Sequence, residues 1–260
     1  PLSTNISAFD NTINITGNHI NHIENDGILF DDQVYHSQIT ISGNTMTGYN
    51  TADQAIEFDR DIEAFSSITI SANLIDDWND GVEASSGIYE NSTMTVTMNT
   101  LTNIDDEGVY VYVESGSTLN VTTNDISTDT NSGGYGIETD TEYGSTTTIT
   151  ANNIVGFDDY GIYESYPYGG STVIIMNNTI MMADGGGSSY GIYSDTDYGS
   201  HTTVSNNTVK GWDYAGIYED YPEYGSSFIC ENNIVDARDE SGGDYGIYVY
   251  APSYGSTALI

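Results

Sequence analysis

The chain has 260 residues, and its 3 Lys plus Arg set against 39 Asp plus Glu give a formal charge of 3 − 39 = −36. Nucleic acids and anionic lipids are held by clustered Lys and Arg, so such a surface repels both. Composition of this kind is compatible with disorder, but 37% apolar residues and 22 Tyr speak for a packed chain, and a single cysteine, Cys230, excludes an internal disulfide.

Taken in order, the chain repeats one phrase. An Asn stands at Asn18, Asn44, Asn73, Asn99, Asn124, Asn152, Asn178, Asn207 and Asn233, with gaps from 25 residues (99 to 124) to 29 (44 to 73). A period of about 20–50 residues marks a solenoid, which grows coil by coil. Each coil holds three apolar patches. One follows the Asn, as in Asn18-His19-Ile20 and Asn124-Asp125-Ile126. The next opens on Gly, as in Gly27-Ile28-Leu29-Phe30, Gly108-Val109-Tyr110-Val111 and Gly246-Ile247-Tyr248-Val249. The last alternates with Ser and Thr, as in Ile39-Thr40-Ile41 and Met94-Thr95-Val96. Alternation over β-branched residues predicts three short strands per coil. Ile, Val, Phe and Met are expected inside, and Thr, Tyr and Glu outside. Cys230 falls where other coils have Ile175 or Val204 and reads as a small buried apolar group.

Only Ser42 and Gly43 separate Ile41 from Asn44, so the corner is tight and the Asn amides are expected to stack from coil to coil. Length varies mainly before the Gly, from GFDDY ahead of Gly161 to MADGGGSSY ahead of Gly191. Asn-x-Ile, a variable acidic or Gly-rich loop, Gly-Ile-Tyr and Ser-Thr-x-x-Ile together resemble the repeat of the pectin-lyase-like superfamily. That resemblance implies an all-β, right-handed parallel β-helix of about nine to ten coils with an Asn ladder at its tight corner. The superfamily includes polysaccharide lyases, hydrolases, epimerases, tailspikes and surface proteins, so the fold does not choose a function.

A longer period overlies the first: Gly81, Gly136, Gly191 and Gly246 are 55 apart (136 − 81, 191 − 136, 246 − 191), and GIYESYPYGGS at 161 matches GIYEDYPEYGS at 216. Duplication of a two-coil unit explains this, as does a landmark needed every second coil.

The outward position of the Gly-led strand reads Leu29, Glu57, Glu83, Tyr110, Glu138, Tyr163, Tyr193, Tyr218, Tyr248. Its Tyr residues are expected to stack into a strip for a partner or for sugar rings, or simply to brace the sheet. Glu57 and Glu83 on adjacent coils would lie about 5 Å apart, the spacing of a retaining glycosidase pair. The sugar hydrolases of the superfamily also carry Gly-His-Gly and Arg-x-Lys, and neither string occurs here. Its lyases use Arg or Lys on acidic polymers, which this surface repels. The acidic loops offer Asp76, Asp77, Asp105, Asp106 and Glu107 as oxygen ligands for calcium. Outward Thr rows at 93–97, 118–122 and 146–150 resemble ice-binding faces, though Ile174, Met176, Ile229 and Glu231 interrupt the columns. His19, His22, Glu24 and His36 have the makings of a transition-metal site, against the simpler reading of scattered loop histidines. Asn-x-Ser/Thr strings begin at Asn5, Asn14, Asn91, Asn120, Asn177 and Asn206.

No apolar run reaches the roughly 18–20 residues of a membrane helix. PLSTNIS at the start reads as mid-coil rather than as a signal peptide, and YGSTALI at the end stops inside a strand. The expectation is therefore one β-helix segment over 1–260, part of a longer polypeptide or assembly. Its expected role is non-enzymatic and extracellular: an adhesin, stalk, surface-layer or filament segment whose partners are adjoining segments, copies of itself or glycans. A carbohydrate-binding or carbohydrate-active protein is the alternative, and an ice-binding protein a lesser one.

Overall fold

The computed structural model describes residues 8–49, 52–128, 134–183, 189–237 and 243–260. Asn5 and Arg238 lie outside them. The described residues form three parallel sheets of 12, 10 and 9 strands and no helix. Each sheet gains a strand per coil, as when Tyr135–Thr141 pairs with Tyr160–Glu164, Thr146–Thr150 with Thr172–Met176, and Asn153–Val155 with Thr179–Met181. The fold is an all-β solenoid with three strands per coil, and among the described residues no helix is long and apolar enough to cross a membrane.

The core follows from the pleat. Alternate residues point in, and parallel pairing in register stacks like positions into columns. One column runs Ile56, Val82, Val109, Ile137, Ile162, Ile192 and Ile217, all fully buried. Phe30 and Phe58 stack face to face in another, with ring centroids 4.6 Å apart. Cys230 pairs with Val204 and is buried. The Gly opening the first strand is required by crowding rather than by its φ. A Cβ on Gly161 would lie 2.4 Å from Ile180 Cγ2 and 2.6 Å from the Gly191 carbonyl oxygen.

Two corners organise each coil. At one, the residue before the ladder Asn takes a left-handed φ, as Gly43 (63°), Met98 (56°) and Ala151 (58°) do, and the Asn amides run in single file. Asn44, Asn73, Asn99, Asn124, Asn152, Asn178 and Asn207 each donate through Nδ2 to Oδ1 of the next ladder Asn at 2.9–3.1 Å. Asn18 begins the file on Asn44 at 2.9 Å, and Asn233 ends it. The other corner is a tight turn with two left-handed residues, such as Tyr143 (φ 48°) and Gly144 (φ 75°), closed by Ser145 N–H donating to the Glu142 carbonyl at 3.3 Å. Positive φ at both central positions is the primed-turn geometry that reverses a chain most tightly. The Ser closing that turn forms a second ladder that the Asn pattern does not announce. Ser37, Ser66, Ser92 and Ser171 each donate a backbone N–H to the hydroxyl of the next coil's Ser at 3.1–3.2 Å.

The outward placement of Thr and Glu needs correction. Thr139, Thr147, Glu164, Thr202 and Glu219 are buried. In Gly-Ile-Tyr-Glu the Ile points in and the Tyr out, so the same alternation sends the Glu in. Position along the strand, not residue type, decides the face. Glu164 and Glu219 occupy the column that holds Phe30, Phe58 and Val111 in earlier coils.

Candidate interaction face and acidic cluster

The outer side of the first sheet has two zones. Register places Leu29, Glu57, Glu83, Tyr110, Glu138, Tyr163, Tyr193, Tyr218 and Tyr248 in one file. Its later part is aromatic: Tyr163–Tyr193, Tyr193–Tyr218 and Tyr218–Tyr248 have ring centroids 5.0, 5.3 and 5.2 Å apart. Tyr110 stands apart from that run, between Glu83 and Glu138.

A second file flanks the first. Tyr135, Tyr160 and Tyr190 stack nearly parallel at 5.1 and 5.0 Å, and Tyr214 and Tyr245 continue it. The two files touch, as at Tyr160–Tyr163, 4.6 Å. A third file, Tyr143, Tyr168, Tyr198, Tyr224 and Tyr254, rides on the tight turn with spacings of 4.4–5.4 Å. Tyr254 is 70% exposed and Tyr143 53%. The sequence signals of the flanking files are Tyr-Gly at the start of the first strand and Tyr-Gly-Ser before the second, both off the alternating outward positions.

The phenols are tied to carboxylates. Tyr193 donates to Asp220 Oδ2 at 3.1 Å and Tyr112 to Glu114 Oε2 at 3.0 Å. Burial first, then Asp220, holds the Tyr193 phenol well above its ordinary range, so it remains a donor. Asp195 is pushed up to about 7 by burial and then by Asp220.

The earlier zone is acidic. Glu57 and Glu83 are register partners, and burial, followed by Asp26 and Glu83, pushes Glu57 up to about 7. Burial and then Asp140 do the same for Glu138. Carboxylate oxygens of Asp80, Asp106 and Glu107 lie within 4.8 Å of one another. Asp80 is buried, accepting from Gln54 Nε2 at 3.0 Å, Asn79 Nδ2 at 3.1 Å and the Glu107 N–H at 3.0 Å. Burial, and after it Asp80, raises Glu107.

Of the five acidic residues read as calcium ligands, the structure therefore gathers Asp106 and Glu107, and it adds Asp80, the last residue of the acidic loop that holds Asp76 and Asp77. Asp76 instead accepts from Thr102 Oγ1 at 2.7 Å and Asn103 Nδ2 at 2.8 Å. Asp77 is a left-handed residue, φ 65°, in the strand Leu74–Trp78, and Asp105 lies on the bend before Glu107. A repeat places Asp80 directly before Gly81 and Glu107 directly before Gly108, so register could have paired them. The histidines do not converge: His36 Nδ1 meets Asp10 Oδ1 at 2.5 Å, while His22 lies on the Tyr49 ring at 5.7 Å. Asn14, Asn91, Asn177 and Asn206 are exposed.

A search of curated proteins and a search of solved structures each found no match. The family model described as "Right handed beta helix region" matches residues 4–166 and 62–219. Together these overlapping matches take in well over half of the chain, and they coincide with the three-sheet coils, so the chain belongs to the right-handed β-helix family.

Proposed function

We propose that the chain is a structural β-solenoid segment of an extracellular or cell-surface assembly, with no catalytic role, whose tyrosine files form the contact face for a neighbouring solenoid. The observation that carries this reading is continuity. The Asn ladder passes from coil to coil along the described stack, and the tyrosine files run unbroken through its later coils. Aromatic faces with hydroxyl rims suit contacts that are part apolar and part polar. A neighbour of the same kind would meet phenols with phenols and carboxylates. The acidic zone adds a cation to the reading: a hard divalent ion such as calcium takes carboxylate oxygens, and Asp80, Asp106 and Glu107 supply three. Self-association measured by analytical ultracentrifugation, with and without calcium, tests both parts. Loss of association in Y163A/Y193A/Y218A supports the contact face, and association unchanged by that substitution refutes it. Calcium binding by isothermal titration that survives in D80N/D106N removes the ion from this cluster.

A carbohydrate-directed role is the second reading, favoured by the raised proton affinity of Glu57 beside Glu83, the property of a general acid in a carboxylate pair. Binding and hydrolysis across a panel of neutral glycans decides it. Activity lost in E57Q supports the reading, and neither binding nor turnover on any glycan removes it.

A further inference from the structure

The interior of the later coils holds two glutamates that the contact face does not use. Glu164 and Glu219 are both 0% exposed and lie 219 − 164 = 55 residues apart, matching the two-coil period. Rungs of two kinds alternate here. One places three buried hydroxyls where the first sheet turns into the second: Thr139, Thr141 and Thr147, and two rungs later Ser194, Thr196 and Thr202. The following rung brings a glutamate against them. Register sets Glu164 beside Thr139 and Glu219 beside Ser194.

Each carboxyl group reaches back to the preceding hydroxyl set. Thr139 Oγ1 donates to Glu164 Oε2, and the Thr196 N–H donates to Glu219 Oε1 at 3.0 Å. In both residues the other oxygen, Glu164 Oε1 and Glu219 Oε2, is buried without a hydrogen-bond partner. A bare carboxylate in such a place is strongly disfavoured and neutralises instead. No fixed cation among the described residues serves: Arg60 lies against Asp59 and Lys210 is exposed on the third sheet. The hydroxyls meanwhile satisfy one another: the Thr141–Thr147 and Thr196–Thr202 pairs are 2.7 and 2.8 Å apart, which are hydrogen-bond distances.

We propose that Glu164 and Glu219 are proton-operated latches, each seated as a neutral carboxylic acid on the hydroxyl set of the preceding rung, and that loss of the proton loosens the two rungs it joins. Burial, outweighing the hydroxyl and backbone donors that favour the charged form, pushes Glu164 up to about 8 and Glu219 well above the carboxylate range. The titratable neighbours act the same way. Asp140 opposes ionisation of Glu164, and Asp195 opposes that of Glu219. The Cys230 thiol on the second sheet, raised by burial and by Glu219, remains neutral, while exposed His201 is turned outward onto Ser227. The latch also gives the longer period a physical meaning. Slipping the stack by one rung would set each Glu against the wrong partner, so the unit that must be conserved through duplication is a pair of rungs.

The sign follows from proton uptake. The folded chain keeps two protons that the unfolded chain, with glutamates near 4.5, releases. Between that value and the folded values, the unfolding constant rises about tenfold per pH unit for each latch, or about a hundredfold for both. The test is denaturant unfolding of wild type, E164Q/E219Q and E164T/E219S from pH 4.5 to 9 at fixed ionic strength. The second pair borrows hydroxyls that the same column already uses. The expected result is a wild-type pH slope steeper by two protons than that of either variant, whatever their stabilities at pH 4.5. Parallel slopes overturn the proposal. So does alkaline stability that Na⁺ or Ca²⁺ restores in wild type but not in the variants, because the interior partner would then be an ion.

Discussion

Substituting Asn124 by Ala isolates what the amide file contributes. The Asn124 side chain donates to Asn152 Oδ1 at 3.0 Å and to the Val96 carbonyl at 2.9 Å. Its Oδ1 accepts from the Asn99 N–H and from Asn99 Nδ2, both at 3.0 Å. All four capacities of one amide are therefore used, in a residue only 2% exposed. Truncation strands the Asn99 N–H and one Asn99 amide proton, takes from the Val96 carbonyl the donor it has besides the sheet ladder, and removes one donor from Asn152. Each stranded buried group costs about 1–3 kcal/mol, and because the groups relax together the expected loss is about 3–6 kcal/mol. Asn120 is the control: it lies four residues earlier, in the strand Thr118–Thr122, and faces outward between Thr95 and Thr148. N120A should change stability by less than about 0.5 kcal/mol. Urea unfolding followed by circular dichroism measures both. Solenoids can unfold in parts, so hydrogen exchange at the Asn99 and Asn152 amides should report the same loss locally. Equal stabilities of N124A and N120A would refute the reasoning.

Other expectations concern crowding, charge and the tyrosines. G161A should cost about 1–3 kcal/mol, because its Cβ meets Ile180 and the Gly191 carbonyl. G199A meets nothing within 4 Å and should lose only about 1 kcal/mol, through its φ of 76°; an equal loss in thermal melts would contradict the crowding argument. Glu57, Glu138 and Asp195 are each raised to about 7, burial being the first cause. Their contribution is fully present below about pH 4, where both folded and unfolded forms are protonated. It is lost as the pH climbs through about 7, so the melting temperature should fall from pH 5 to pH 8 in calorimetry; a rise refutes the assignment. At constant pH, 1 M NaCl shortens the screening length from about 8 to about 3 Å and should raise the melting temperature, since carboxylates on neighbouring coils repel. Y193F keeps the stack and loses the bond to Asp220, so it should be less destabilising than Y193A in the same melts.

Much of this architecture was legible because it repeats. The Asn file, the outward Leu29-to-Tyr248 file and the inward place of Cys230 all follow from counting positions along equivalent coils. What stayed hidden depended on reading residue type where position rules. Glu164 and Glu219 look like surface residues until the alternation that buries Ile162 and Ile217 is carried two residues further. The acidic cluster was half seen for a related reason. Proximity in sequence joined Asp76 and Asp77 to one loop, whereas register joins Asp80 to Asp106 and Glu107 on the next coil. The Ser ladder was concealed by abundance, since Ser and Thr crowd the second strand of every coil and the Ser closing the tight turn does not stand out among them.

Distances between spin labels along one outward column test the stacked-rung architecture most directly. Thr40, Thr69, Thr95, Asn120, Thr148, Ile174 and Thr203 are successive register partners. With Cys230 replaced by Val, labels at Thr203 paired in turn with Thr95, Thr69 and Thr40 should be separated by four, five and six rungs. At about 4.8 Å per rung the expected distances are about 19, 24 and 29 Å, rising in equal steps. Distances that fail to grow with rung number would contradict a single file of equivalent coils.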